Sequence, residues 1–126
     1  MDTVHLFDIA AKQAKWLAIR QNAVSQNIAN ANTPRYSAVD VEPFEAVVQK
    51  TALTLASTSP GHIAAAPGET MTTKQRKTDS WSVVHSGNSV SLEQEMLKAG
   101  DIQRRHALNT SLVKSFHRML LTAVRN

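Results

Sequence analysis

The chain reads as a mainly α protein with a long helix at each end, the two pairing with each other across an irregular or small β middle segment. Three observations carry that reading. An apolar stripe of helical period runs through the first third, a proline closes it, and a second stripe opened by a capping sequence fills the last third.

The first stripe is Phe7, Ala10, Ala14, Leu17, Gln21, Val24, Ile28 and Ala31, spaced by alternating steps of three and four with one polar member. Lys12, Lys15, Arg20, Asn22 and Gln26 fall off that face, as a one-sided helix requires. Asp2 or Thr3 is placed to cap its start. Pro34 ends it, because proline disfavours the α conformation at Thr33 and has no amide hydrogen to donate. Gln21 reads either as a tolerated seam residue or as a polar group that fixes helix register.

The second helix opens at Ser91, where Gln94, three residues on, completes a capping box. Glu93 and Glu95 sit where the helix dipole favours anions. Lys114, Arg118 and Arg125 supply cations toward the other end, on the face opposite Leu108, Leu112, Phe116, Met119 and Ala123. In between, Gly100 costs about 1 kcal/mol relative to alanine, and Arg104, Arg105 and His106 interrupt the apolar face. A bend or looser contact is therefore expected there, with the firmest pairing over Leu108 to Val124.

The stretch between the helices is rich in Thr, Ser, Ala, Pro and Gly. Tyr36 to Val41 and Trp81 to His85 alternate in the manner of short strands, while Ser59-Pro60-Gly61 and Pro67-Gly68 read as turns. The chain thus divides into an N-terminal helix over 1–33, a variable and partly extended middle over 34–89, and a C-terminal helix over 90–126.

With 126 residues, 42% of them hydrophobic, the chain has material for one modest core. Its 5% aromatic content suits extended helices better than a compact α/β enzyme. The net charge of +4 is concentrated in residues 90–126, and a pI near 9.8 keeps a basic helical nucleic-acid-binding module as an alternative. Against it, the basic residues are spread along a helix with few aromatics beside them. The absence of cysteine removes disulfides, thiolate metal sites and thiol nucleophiles. His106 and His117 stand about 16 Å apart along a helix, and His5, His62 and His85 have no partner at ligand spacing, so no metal or other cofactor is expected. No serine occupies a Gly-x-Ser-x-Gly elbow, there is no phosphate-binding glycine loop, and no catalytic residue is nominated. No apolar run approaches the ~20 residues of a membrane span. Asp2, Asp8, Lys12 and Lys15 break up any cleavable secretory signal.

The most specific string is Asn27-Ile28-Ala29-Asn30-Ala31-Asn32-Thr33-Pro34, followed by Tyr36. Such carboxamides can satisfy the orphan carbonyls of a helix end and still present donors and acceptors outward. The string closely resembles the N-terminal signature of the flagellar basal-body rod and hook family of bacterial axial proteins. Leu6-Phe7-Asp8-Ile9-Ala10 with Arg20-Gln21, Asp40 with Pro43-Phe44, and Gly87-Asn88-Ser89-Val90 leading into Leu92-Glu93 and Glu95-Met96 are similar to further family motifs. Thr58 with His62-Ile63 resembles a feature of proximal rod members.

The resemblance implies a structural subunit of the proximal rod, and no enzyme. It implies export through the flagellar type III apparatus without signal cleavage, to a periplasmic rod that serves as drive shaft. The end helices would pair as an antiparallel coiled coil and pack helically with neighbours. Partners would be other copies of the chain, other rod proteins, the adapter at the rod base and the export apparatus, with neither nucleic acid nor a small-molecule substrate. A different rod subunit is the alternative inside the family. On this basis Asn27, Ile28, Asn30, Asn32, Thr33, Pro34 and Tyr36 form the assembly and turn motif. Phe7, Leu17, Val24, Ile28, Leu112, Phe116 and Leu120 carry helix packing. Arg35 stands where the family usually has glycine, so a type II turn with positive φ is not expected there. Arg104 and His106 replace a usual apolar residue and tyrosine. Because neither helix buries its stripe alone, the isolated monomer is expected to be largely disordered at both ends and to order on assembly.

Overall fold

The computed structural model describes residues 3–52, 75–77 and 85–125. Helix α1 spans Thr3–Ala29, strand β1 Val39–Val41, helix α2 Phe44–Ala52, strand β2 Gln75–Lys77 and helix α3 Leu92–Val124. The two end helices hold 27 and 33 residues, or about 40 and 50 Å at 1.5 Å per residue. They lie against each other.

Contacts between them pair ascending positions of α1 with descending positions of α3. Phe7 meets Phe116 edge to face, with ring centroids 5.6 Å apart. The Ala10 carbonyl accepts from Asn109 at 3.0 Å, and Arg20 reaches Asp101 at 3.3 Å. Ala10, Leu17 and Val24 are buried on α1 at a seven-residue spacing, and α3 answers with Glu95, Ile102 and Asn109 at the same spacing. The core gathers Trp16, Leu17, Ala23, Val24, Val41, Val47 and Ile102, with Ile19, Val39, Phe44 and Ala99 packed against it.

Helix α1 stops at Ala29, earlier than Pro34 would dictate, and residues 30–35 form successive turns. Its starting cap, like both glycine turns of the middle and Thr58, His62, Ile63 and Trp81 to Val84, lies outside the described side chains. Of the strand expected over Tyr36 to Val41, only Val39–Val41 forms; it pairs antiparallel with β2, Val39 opposite Lys77. His85 sits in a turn.

Helix α2 adds a helix to a middle read as irregular or small β and partly extended. Phe44, Val47 and Val48 recur at helical spacing, Glu45 occupies the first turn, and the Pro43 carbonyl accepts from the amides of Ala46 and Val47. The helix brings Phe44 to Trp16, centroids 5.8 Å apart, while Trp16 Nε1 donates to the Glu42 carbonyl at 2.8 Å.

Three further expectations for α3 meet different outcomes. Ser91 is its N-cap, with extended backbone, but makes no capping bond; its hydroxyl donates to Glu93 Oε2 at 3.0 Å instead. The capping box with Gln94 is not formed. Helix α3 runs unbroken through Gly100 to Val124. The looser contact expected over Gly100 to His106 is present as a groove of about 520 Å³ lined by Ala14, Leu17, Ala18 and Gln21 of α1 and Ile102, Gln103, His106 and Ala107 of α3. Finally, pairing within the chain is firmest around Ile102, not beyond Leu108. Leu108, Leu112 and Met119 are 70%, 51% and 57% exposed. The geometry explains why. At 100° per residue the line through Ile102, Asn109 and Phe116 turns toward α1 and leaves Leu108 and Leu112 on its flank. The Phe7–Phe116 contact also sets Thr3 level with Leu120, so Leu121 and Val124 overhang the described start of α1.

Candidate assembly corner

The densest polar construction lies where the end of α1, the approach to β1 and the approach to α3 meet. Asn27, on the last turn of α1, is wholly buried. Its Nδ2 donates to the Val39 carbonyl at 2.7 Å, its Oδ1 accepts from the Val39 amide at 3.0 Å, and the Tyr36 hydroxyl reaches the same oxygen at 3.4 Å. The carboxamide thus acts toward Val39 as a neighbouring strand would.

Asn88 supplies the second construction. Its Nδ2 lies 2.9, 2.9 and 2.8 Å from the carbonyl oxygens of Asn30, Ala31 and Thr33, and its Oδ1 accepts from the Val90 amide at 2.8 Å. Carbonyls at a helix C-terminus lack intrahelical donors. Here the donor comes from a residue more than fifty positions away.

Around Asn88 the two backbones join. The Arg35 amide donates to the Ser86 carbonyl and the Ser89 amide to the Tyr36 carbonyl, each at 3.0 Å, and the Ala38 amide donates to Ser89 Oγ at 2.8 Å. Pro34 and Arg35 occupy the centre of a turn closed by the Tyr36 amide on the Thr33 carbonyl at 3.3 Å. Arg35 has φ of 60°, where positive φ is not expected of an arginine. The left-handed conformation costs a non-glycine residue on the order of 1–2 kcal/mol. The surrounding hydrogen bonds offset it. Gly87 faces Arg35 with φ of 78°, and a Cβ on it would stand 3.5 Å from Arg35 Cγ.

Below the corner, charged side chains join α1, β1 and α3. Arg20 contacts Asp40 at 3.4 Å and Asp101 at 3.3 Å, and its guanidinium lies 5.4 Å from the Trp16 ring centroid. Lys98 bridges Asp40 at 3.2 Å and Glu95 at 3.0 Å, while Arg105 reaches Asp101 at 3.0 Å. Glu95 is 1% exposed, and its Oε2 has no hydrogen-bond partner. Arg105, read as an interruption of the apolar face, belongs to this network. Arg104 stays near Asp101 at 3.8 Å, and His106 is exposed.

The residues singled out from sequence therefore divide by position. Asn27 is buried and Tyr36 half-buried, whereas Ile28, Asn32, Thr33 and Pro34 are exposed, and Asn30 is intermediate. Leu17 and Val24 are core residues; Phe7, Phe116 and Leu120 are half-buried; Ile28 and Leu112 are exposed. Gln21 is exposed beside the groove, while Asn109 bridges the helices, as the Arg20–Asp101 pair also does. In the sequence Asn88 stands out only within the motif Gly87-Asn88-Ser89-Val90, without a role, and Lys98 and Asn109 carry no signal of their own. For Asn88 the usable signal is a carboxamide between a glycine and the N-cap of α3. Among the described residues His, Asp and Glu do not gather as a metal-binding group, and no described helix is long and apolar enough to cross a membrane.

Two long paired helices, a corner braced by carboxamides and an exposed apolar flank on α3 define a helical structural subunit. The profile of the flagella basal body rod protein family matches residues 10–36, which take in α1 from Ala10 onward and the whole signature turn. The chain is 46% identical over 129 residues to the flagellar basal body rod protein FlgB of Agrobacterium fabrum (strain C58 / ATCC 33970), a match that covers 99% of this chain and 96% of that relative. The chain belongs to the flagellar basal body rod protein family and is a structural subunit of the rod.

Proposed function

We propose that the chain builds the proximal part of the rod, its end helices pairing as an antiparallel coiled coil whose uncovered flank packs helically against neighbouring subunits to form a drive shaft. One observation carries the reading: Leu108, Leu112, Met119 and Leu121 stand exposed along α3 while α1 occupies only one side of it. Apolar surface of this extent on a single helix is covered by a partner in soluble assemblies. The seven-residue spacing of Ala10, Leu17 and Val24 against Glu95, Ile102 and Asn109 supports the coiled-coil geometry.

In this reading residues 1–33 and 90–126 are the rod helices and 34–89 the variable segment. Asn27 and Tyr36 shape the corner; Ile28, Asn32, Thr33 and Pro34 face a neighbour. The partners are further copies, other rod proteins and the adapter at the rod base. Delivery to the periplasm is through the flagellar export apparatus without signal cleavage.

The chain has no cysteine, so a single introduced thiol reports unambiguously. Leu112→Cys in swimming cells, treated with short bifunctional thiol-to-amine reagents, is expected to give adducts with rod subunits in purified basal bodies. A motile strain in which Cys-bearing chains never crosslink would exclude this flank as a subunit contact.

A further inference from the structure

We infer that Asn88 is a latch: it sets the shape of the outward-facing turn over residues 28–36 from more than fifty residues further along the chain, so that this turn reaches its presented form only after residues 86–90 have docked. The turn's own hydrogen bonds do not complete this shape. It holds a non-glycine residue, Arg35, at φ of 60°; within it the Thr33 amide meets the Asn30 carbonyl at 3.0 Å and the Tyr36 amide the Thr33 carbonyl at 3.3 Å, whereas the Ala31 carbonyl accepts from Asn88. All three carbonyls are met by one amide group of Asn88, and the Arg35 amide is met by Ser86.

The orientation of that amide is determined by its other end. Oδ1 is occupied by the Val90 amide at 2.8 Å, so Nδ2 must face the carbonyls; the flipped amide would set oxygen against three oxygens. Gly87 completes the latch, because its φ of 78° is a conformation that glycine takes without steric cost, and it lies opposite Arg35, where a Cβ would stand in ordinary contact at 3.5 Å. Nothing in the latch depends on the rod reading, which supplies only what the turn is presented to. Under that reading, a subunit arriving amino end first would not display a finished contact turn until its last third had arrived and folded.

The test is amide hydrogen exchange on the full isolated chain, which is independent of the crosslinking test of rod contacts. In the parent chain the Arg35 and Ser89 amides are expected to be protected. Asn88→Asp keeps the acceptor for Val90 and removes the donor, and should lower protection at Arg35 and Ser89 at least tenfold while amides over 17–24 and 99–105 are unchanged. Adding Arg35→Gly should restore most of the protection at Ser89, because glycine takes positive φ without the latch. Unchanged protection in Asn88→Asp overturns the inference. So does loss spread equally over the helix pair, absence of protection in the parent, or failure of Arg35→Gly to restore Ser89.

Discussion

The side chain of Asn27 and the backbone of Val39 form a closed two-bond pair, 2.7 Å from Nδ2 to the carbonyl and 3.0 Å from the amide to Oδ1. The pair ties the last turn of α1 to β1, whose other edge carries β2. Asn27→Ala would strand two polar groups of half-buried Val39, each costing up to about 1–3 kcal/mol. The expected loss is about 2–5 kcal/mol in urea unfolding, and Asn27→Asp should lose a similar amount at neutral pH because a carboxylate cannot donate to the Val39 carbonyl. A loss below about 0.5 kcal/mol for both would mean that the corner is not held through this residue.

How much of this corner is legible in the sequence follows from what each residue's partner is. Leu17, Val24 and the helix they mark are readable because their signal is periodic and local. The asparagine string is readable as unusual, but a string does not say which carboxamide turns inward; that is decided by Val39 and by residues 86–90, far along the chain. Arg35 shows the limit most directly. Its local preference argues against positive φ, and the long-range bonds override it. The C-terminal stripe misleads for a related reason: Leu112 and Phe116 share a stripe in sequence, yet α1 is wide enough to cover only the line through Ile102, Asn109 and Phe116.

Glu95 and Lys98 make the second prediction. Lys98 Nζ lies 3.0 Å from Glu95 Oε1, while Oε2 has no partner, so Lys98→Ala leaves a buried carboxylate alone. Removing one partner of a buried pair typically costs about 3–5 kcal/mol, whereas replacing both by apolar groups of like volume is often neutral. Chemical denaturation should therefore show Lys98→Ala strongly destabilised and Glu95→Met with Lys98→Met much closer to the parent. Equal losses in the two proteins would show that Asp40, at 3.2 Å from Lys98, is the dominant member of the cluster.

A third prediction separates the two uses of α3. Ile102 is in the core and Leu112 is exposed. Ile102→Ala should cost about 2–5 kcal/mol in the isolated chain, and Leu112→Ala should fall within about 0.5 kcal/mol. Incorporation into basal bodies should show the reverse sensitivity when Leu112 is replaced by Asp, which leaves folding intact but charges the flank. Amide exchange follows the same division, with slower exchange over 17–24 and 99–105 than over 117–124. That outcome would confine the disorder expected at both ends of the free chain to the overhanging end of α3, and fast exchange over 7–31 as well would uphold it at both. Parent-like incorporation of Leu112→Asp would remove this flank from the assembly surface.

The fourth prediction concerns pH. Glu93 is held below its ordinary 4.5 chiefly by a hydrogen bond from its own backbone amide and next by the Ser91 hydroxyl, with desolvation opposing. Its position in the first turn of α3 adds the favourable end of the helix dipole. A carboxyl whose folded pKa is lowered binds fewer protons in the folded chain than in the unfolded one near pH 4. Stability then rises with pH across that interval. Its contribution is complete above about 4.5 and disappears as pH falls through the lowered folded value. Glu93→Gln removes the titration but keeps the size of the side chain. Urea unfolding of the parent and this variant should therefore differ by a constant amount above pH 5 and converge as pH falls below 4.5, because protonation makes the parent resemble the variant. A difference that stays constant from pH 6 to pH 3 would assign the effect of Glu93 to shape and not to charge.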